Sequence, residues 1–295
     1  MSQRIRADLC VIGAGSGGLT VAAGASQMGA HTVLIEKGLM GGDCLNYGCV
    51  PSKALLAAAH RAHAIRGAHR FGVNSATPQI DFAKVNDHVH DVISHIAPHD
   101  SVERFRGLGV DVLQGSASFV GPREVVVGNR TVTARRFVIA TGSSPAVPPI
   151  PGLPDVEFFT NQTVFETKAL PTRLLVIGGG PIGVELAQAF RRLGTEVIVF
   201  EMMRALSAAD PEITELVVSR LRSEGVVIHE NAKVVRVERT ARGICVTAIG
   251  AEGEIADDGT HLLVAAGRSP NVDQLGLDAA GIKHSPGGIL IDNYL

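Results

Sequence analysis

The apolar positions of the chain fall twice into the same design. Residues 8–38 read DLCVIGAGSGGLTVAAGASQMGAHTVLIEKG. The apolar run Leu9 to Ile12 predicts a strand, and a small-residue helix follows a glycine-rich turn. A second strand is predicted at Thr32 to Ile35, closing on the acid Glu36. Residues 173–202, RLLVIGGGPIGVELAQAFRRLGTEVIVFEM, repeat this order. Gly13, Gly15, Gly18, Gly29 and Glu36 recur as Gly178, Gly180, Gly183, Gly194 and Glu201, at a constant offset of 165 residues. Between the two repeats, residues 60–99 read as two helices broken near FGVNSATPQI, and after them GICVTAIG reads as a strand.

In each repeat the three glycines have separate tasks. The first makes a tight turn, the second lets a pyrophosphate approach the backbone, and the third lets helix and strand pack closely. The helix N-terminus then faces the phosphate charge, and the terminal acid can accept hydrogen bonds from a ribose diol. One such glycine triplet is weak evidence, but two with the same terminal acid predict two bound dinucleotides on an α/β fold with two Rossmann-like layers. Glu201 would repel a 2′-phosphate and so favours NAD over NADP, with Arg204 close enough to blur that preference.

The 295 residues suffice for about two domains. A net charge of −2 gives no electrostatic reason to expect nucleic acid or an anionic membrane as partner. Arg4 and Arg6 before the mostly apolar run Ala7 to Ala25 imitate a signal peptide, but Asp8 interrupts it and its glycines have the spacing of a phosphate turn. No run reaches the roughly eighteen apolar residues of a membrane helix. The four cysteines, at 10, 44, 49 and 245, are too few for a disulfide-built secreted scaffold, so the expected compartment is the cytoplasm. Cys10 and Cys245 fall in apparent strands and read as buried small hydrophobes.

The other two cysteines sit in GGDCLNYGCVPSK, residues 41–53. A structural disulfide there would close a loop of about six residues and stabilise little. A metal site would need further ligands at a recognisable spacing. Redox exchange is the third possibility, since a short dithiol interconverts readily with its disulfide. His60, His63, His88, His90, His95 and His99 cluster in the helical region, but no acid or cysteine joins them at a ligand spacing, and they read as a solvated helical face.

Together with ATGSSPAVPPIPGL (140–153) and AAGRSPN (265–271), these motifs resemble the flavoprotein pyridine nucleotide-disulfide oxidoreductases, the family of dihydrolipoamide dehydrogenase, glutathione reductase and mercuric reductase. The resemblance implies a glutathione-reductase-type fold with FAD at the first fingerprint and NAD(P)H at the second. It implies an electron path from NAD(P)H through FAD to a Cys44–Cys49 redox disulfide, with Cys49 beside the flavin and Cys44 as the interchange thiol. Gly41, Gly42, Lys53, Gly115, Ala117, Thr141 and Gly142 match family positions around the flavin. Lys53 and Glu185 match an ion pair near the flavin N5, and Gly267 lies in the second crossover turn. Lys53 and a nearby helix terminus are expected to lower the thiol pKa.

The implied domains are an FAD domain over 1–147, a linker over 148–169, an NAD(P) domain over 170–268 and a return to the FAD domain over 269–295. Family members commonly carry threonine where this chain has Asp43, and an acid near a pyrophosphate is costly unless it is turned away or hydrogen-bonded. They also continue into a second FAD-contacting segment and an interface domain that makes a homodimer. This sequence stops at IDNYL, so it reads as truncated, and dimerisation by the usual surface is not expected of it. The crossover and ELAQAFRRLG resemble the mercuric reductase branch, while Glu201 leans towards the dihydrolipoamide dehydrogenase branch. Paired cysteines near the C-terminus and an N-terminal metal-binding domain, both tied to mercuric activity, are not seen. The expected partner is a small-molecule disulfide or other electron acceptor. Two alternatives are an NADH oxidase or quinone reductase with a bystander disulfide, and an inactive nucleotide-binding fragment.

Overall fold

The computed structural model describes residues 3–294. The chain divides into two units: Met1–Cys49, Ile93–Ser144 and Arg268–Leu295 form the first, and Val50–Val92 and Pro145–Gly267 the second.

The first unit opens with β1 (Gln3–Ile12), α1 (Ser16–Gln27) and β2 (Thr32–Glu36), followed by the short α2 (Gly42–Asn46). The predicted strands are present, and β1 starts earlier than the apolar run because Gln3 to Arg6 pair with Arg130 to Thr133. Next come α3 (Cys49–Gly67) and α4 (Phe82–Ile96), the two helices expected from the sequence, which lie mainly in the second unit. The first unit then adds α5 (Val102–Gly107), β3 (Asp111–Gln114), β4 (Ala117–Gly121), β5 (Glu124–Val127), β6 (Arg130–Ile139) and β7 (Ser143–Pro145).

Its sheet runs β3-β2-β1-β6-β5-β4, parallel from β3 to β6 and antiparallel beyond. The central strands are apolar at successive positions because both faces are covered. Val11, Leu34 and Val112 pack with Leu19 and Ala22 of α1 and with Phe105, whereas Cys10, Ile12, Val33 and Ile35 pack with Phe119, Val125 and Leu275. Burial lifts the Cys10 thiol to about 12, and the side chain acts as the small hydrophobe expected of it. Cys245 is only partly buried, because its strand faces solvent in part.

The second unit contains β8 (Arg173–Ile177), α6 (Pro181–Leu193), β9 (Glu196–Phe200), α7 (Pro211–Ser223), β10 (Val227–His229), β11 (Lys233–Thr240), β12 (Gly243–Gly250), β13 (Gly253–Gly259) and β14 (His261–Val264). A parallel sheet in the order β10-β9-β8-β14 carries the second glycine turn, and β11-β12-β13 form an antiparallel sheet. Leu175, Ile177, Ile198 and Phe200 share a core with Val237 and Val246 of the antiparallel sheet. The chain returns to the first unit through β15 (Arg268–Pro270), which pairs with β7. The fold is therefore α/β with two Rossmann-type sheets built on parallel strands, the first extended by an antiparallel edge, as expected of the α/β class.

A buried polar knot braces the second unit. Glu224, 6 % exposed, accepts from Arg192 Nε at 2.6 Å and Nη2 at 2.7 Å and from Arg220 Nε at 2.7 Å. Arg220 Nη2 also lies 3.1 Å from His63 Nε2, and Arg66 donates to the Arg192 carbonyl. Among the described residues, no helix is long and apolar enough to cross a membrane, and no three His, Cys, Asp or Glu side chains form a metal-ligand group.

Candidate functional site

The two glycine turns are built alike. Gly13 and Gly178 take φ of +103° and +109°, and a Cβ on either would overlap a carbonyl oxygen, that of Ala140 or Ala265. A Cβ on Gly18 or Gly183 would overlap the carbonyl oxygen of Gly13 or Gly178, so the third glycine lets each helix sit on its own turn. The second glycines differ from these. Gly180 has nothing within 4 Å of a built Cβ, and for Gly15 the nearest atom is the Gly42 Cα at 3.9 Å. Both N-cap a helix, α1 or α6, that has no side-chain cap and no acid in its first turn. Each turn therefore offers uncapped N–H groups beside open space, the arrangement a pyrophosphate requires.

The terminal acids have a role that sequence reasoning missed. Glu36 accepts from the Ala14 N–H at 2.6 Å and the Gly38 N–H at 2.7 Å. Glu201 accepts from the Gly179 N–H at 2.7 Å and the Met203 N–H at 2.8 Å. Each carboxylate thus pins the middle residue of its glycine turn to the end of the neighbouring strand. Arg204 is exposed, and its charge helps hold the Glu230 carboxyl below the usual range, against burial and together with the Ala205 N–H and Arg222.

In the first unit the candidate residues come together. The Gly41 N–H donates to the Ala14 carbonyl at 2.9 Å, and a Cβ on Gly42 would lie 2.6 Å from the Gly15 Cα. Gly115, at φ +144°, donates to the Glu36 carbonyl at 2.8 Å, and Ala117 opens β4 two residues later. Thr141 and Gly142 follow β6. The Thr141 hydroxyl donates to the Asn271 carbonyl at 2.7 Å, and the Asn271 N–H donates to Gly142 O at 2.9 Å. In the second unit Lys53 Nζ and Glu185 Oε1 are 2.7 Å apart, and Gly267 sits at φ +119° in the turn after β14.

Gly41, at φ +85°, caps α2, and Asn46 Nδ2 closes its loop onto the carbonyls of Met40 and Gly42 at 3.0 and 2.8 Å. Cys44 lies in α2, while Cys49 is the first residue of α3, one turn before Lys53. The two thiols hydrogen-bond to each other, and the Cys49 N–H donates to the Cys44 sulfur. Contrary to the expected lowering, the Cys44 thiol is pushed up to about 11, first by its hydrogen bond with Cys49, then by burial and by the Cys49 and Asp100 charges. Lys53 Nζ is paired with the Glu185 carboxylate at 2.7 Å. Cys49 is the more exposed of the pair and Cys44 the less.

Residues 7–295 match the family model described as "Pyridine nucleotide-disulphide oxidoreductase". The mercuric reductase of Streptomyces lividans is 37 % identical over 295 residues, which cover 98 % of this chain and 62 % of that protein. The dihydrolipoyl dehydrogenase of Thermus scotoductus is 39 % identical over 290 residues, covering 96 % of this chain and 62 % of that one. Among solved structures, the Cu(II) complex of the HOCl-induced flavoprotein disulfide reductase RclA from Escherichia coli superposes with a TM-score of 0.82 at 27 % identity, over 97 % of this chain and 62 % of that chain. The chain thus spans 62 % of the length of each of these three. With the whole glycine-turn and cysteine arrangement inside the matched residues, the chain belongs to the pyridine nucleotide-disulphide oxidoreductase family.

Proposed function

We propose that this chain is the dinucleotide-binding part of an FAD-containing enzyme that uses NAD(P)H to reduce a disulfide or a similar small electron acceptor. The observation that carries the reading is the Cys44–Cys49 contact in a loop joined to the first glycine turn. Residues 1–147 and 269–295 would hold FAD, through Gly13, Gly15, Gly18, Glu36, Gly41, Gly42, Gly115, Ala117, Thr141 and Gly142. Residues 170–268 would hold NAD(P)H, through Gly178, Gly180, Gly183, Glu201 and Gly267. Glu201 favours NADH, since its carboxylate would repel a 2′-phosphate. The relatives' names point to mercuric and dihydrolipoyl chemistry. For the whole protein we take a cytoplasmic homodimer as the working form.

When bound, the flavin and nicotinamide supply two electrons to the cysteine pair. With two protons, the Cys44–Cys49 disulfide then becomes the dithiol. The Cys44 sulfur gives its proton to solvent or acceptor and attacks the acceptor disulfide, forming a mixed disulfide and releasing one thiol. The Cys49 sulfur displaces the second thiol and restores the Cys44–Cys49 bond. Lys53, paired with Glu185, holds a fixed cation one helical turn from Cys49.

The test is anaerobic titration of the FAD-reconstituted protein with NADH, followed by visible absorption. A long-wavelength thiolate-to-flavin band after two electrons per flavin is expected, and bleaching without that band would sink the relay. The glycines provide a second check. Gly180→Ala should leave the melting temperature unchanged and weaken nucleotide binding about tenfold or more. Gly183→Ala should cost about 1–3 kcal/mol of stability through overpacking. Equal behaviour of the two variants in thermal melts and calorimetric titrations would contradict these assignments.

A further inference from the structure

Asp43, the acid that opens the cysteine-bearing turn, is engaged by an arginine. Its Oδ1 lies 3.0 Å from Arg268 Nη2. The same guanidinium donates from Nε to Ser143 Oγ at 2.8 Å and from Nη2 to the Ser143 carbonyl at 2.7 Å. Ser143 and Arg268 begin β7 and β15, the paired strands at which the chain leaves and re-enters the first unit. Asp43 directly precedes Cys44 on α2, a helix of five residues that is too short to hold its shape by its own hydrogen bonds.

We infer that Arg268 is a positioning residue for Cys44: its planar fork fastens the helix bearing that thiol to the two chain crossings through Asp43 and Ser143. Catalytic use of this placement rests on the relay proposed above, but the placement itself does not. The side chains of Asp43 and Arg268 are 39 % and 25 % exposed, so solvent screens the pair and its contribution is geometric more than energetic. A lysine at 268 would keep the charge and lose the fork that reaches both partners at once.

The test reads Cys44 directly. The chain is reduced, treated with iodoacetamide at pH 8, and the modification of Cys44 is followed by peptide mass spectrometry. Asp43→Asn, Arg268→Gln and Arg268→Lys should all accelerate modification, by about threefold, with melting temperatures close to that of the parent. A field acting on the sulfur without any latch predicts a different pattern: faster for Asp43→Asn, slower for Arg268→Gln, unchanged for Arg268→Lys. That pattern, or three unchanged rates, overturns the inference. Should Arg268→Gln fail to fold, the other two variants decide the matter, since the field predicts no change for Arg268→Lys. Equilibration with glutathione disulfide keeps the two ideas apart: absence of a Cys44–Cys49 disulfide in parent and variants removes the relay and leaves the alkylation comparison standing.

Discussion

Replacing Cys49 by serine should lower the NADH-driven reduction of a disulfide by about a thousandfold or more, while FAD stays bound and electron delivery to a quinone continues. A serine oxygen cannot form the bond that returns the relay to its oxidised state, so turnover stops at the mixed disulfide. Cys44→Ser should be equally inactive towards disulfides but should keep the long-wavelength band, because Cys49 remains the thiol at the start of α3. Steady-state rates with the two acceptor types separate these outcomes. Disulfide reduction within twofold of the parent in Cys49→Ser would transfer the function to the oxidase or quinone reading.

The second large effect lies far from any thiol. Glu224→Gln should destabilise the protein by about 3 kcal/mol, on the order of 10 °C in melting temperature, because it strands the 9 %-exposed Arg192 guanidinium without its carboxylate. Glu224→Asp, which keeps the charge, should recover part of the loss. Asp81→Asn serves as the control, since its pair with Lys84 is exposed on both sides and contributes little. The pH dependence follows from the same knot. Burial raises the Glu224 pKa, but Arg192 and Arg220 outweigh it and bring the carboxyl down to about 2 from 4.5. Its folded pKa is the lower one, so the stabilisation is complete above the unfolded value and disappears as pH falls from about 4.5 to about 2. His63 acts in the same direction at higher pH. Burial holds its pKa below 6.5, so its protonation opposes folding as pH drops past that value. Denaturant titrations from pH 8 to pH 3 should show stability declining in both windows, and in Glu224→Gln the lower decline should become shallower, the remainder coming from carboxyls such as Glu230 that are also held low.

Periodicity and glycine spacing made the parallel strands and both phosphate turns legible in the sequence, because those constraints are local. Leu9 to Ile12 and Val33 to Ile35 are apolar at every position, as strands covered on both faces must be. The polar start of β1 was not legible, since Gln3 to Arg6 gain their strand conformation from partners on β6. The double use of Glu36 and Glu201 was hidden as well: the sequence shows an acid at a strand end, but not that its oxygens accept from the turn. The Arg268–Asp43 contact and the Arg192–Glu224 pair join residues far apart in the chain, and only the folded backbone brings them together. The high pKa of Cys44 escaped for a similar reason. A lysine four positions beyond Cys49 suggests an activated thiol, whereas in the fold that lysine is committed to Glu185.

The way Leu275 enters the first unit has a consequence for biosynthesis. The Phe119 N–H of β4 donates to the Leu275 carbonyl at 2.7 Å, and Val272, Leu275 and Leu277 complete the core around Val125 and Val132. A nascent chain therefore carries one bare face of its first sheet through translation of residues 145–267, the larger part of the second unit, until residues 272–277 leave the ribosome. Parallel pairing and late closure of this kind make folding slow and expose apolar surface to aggregation.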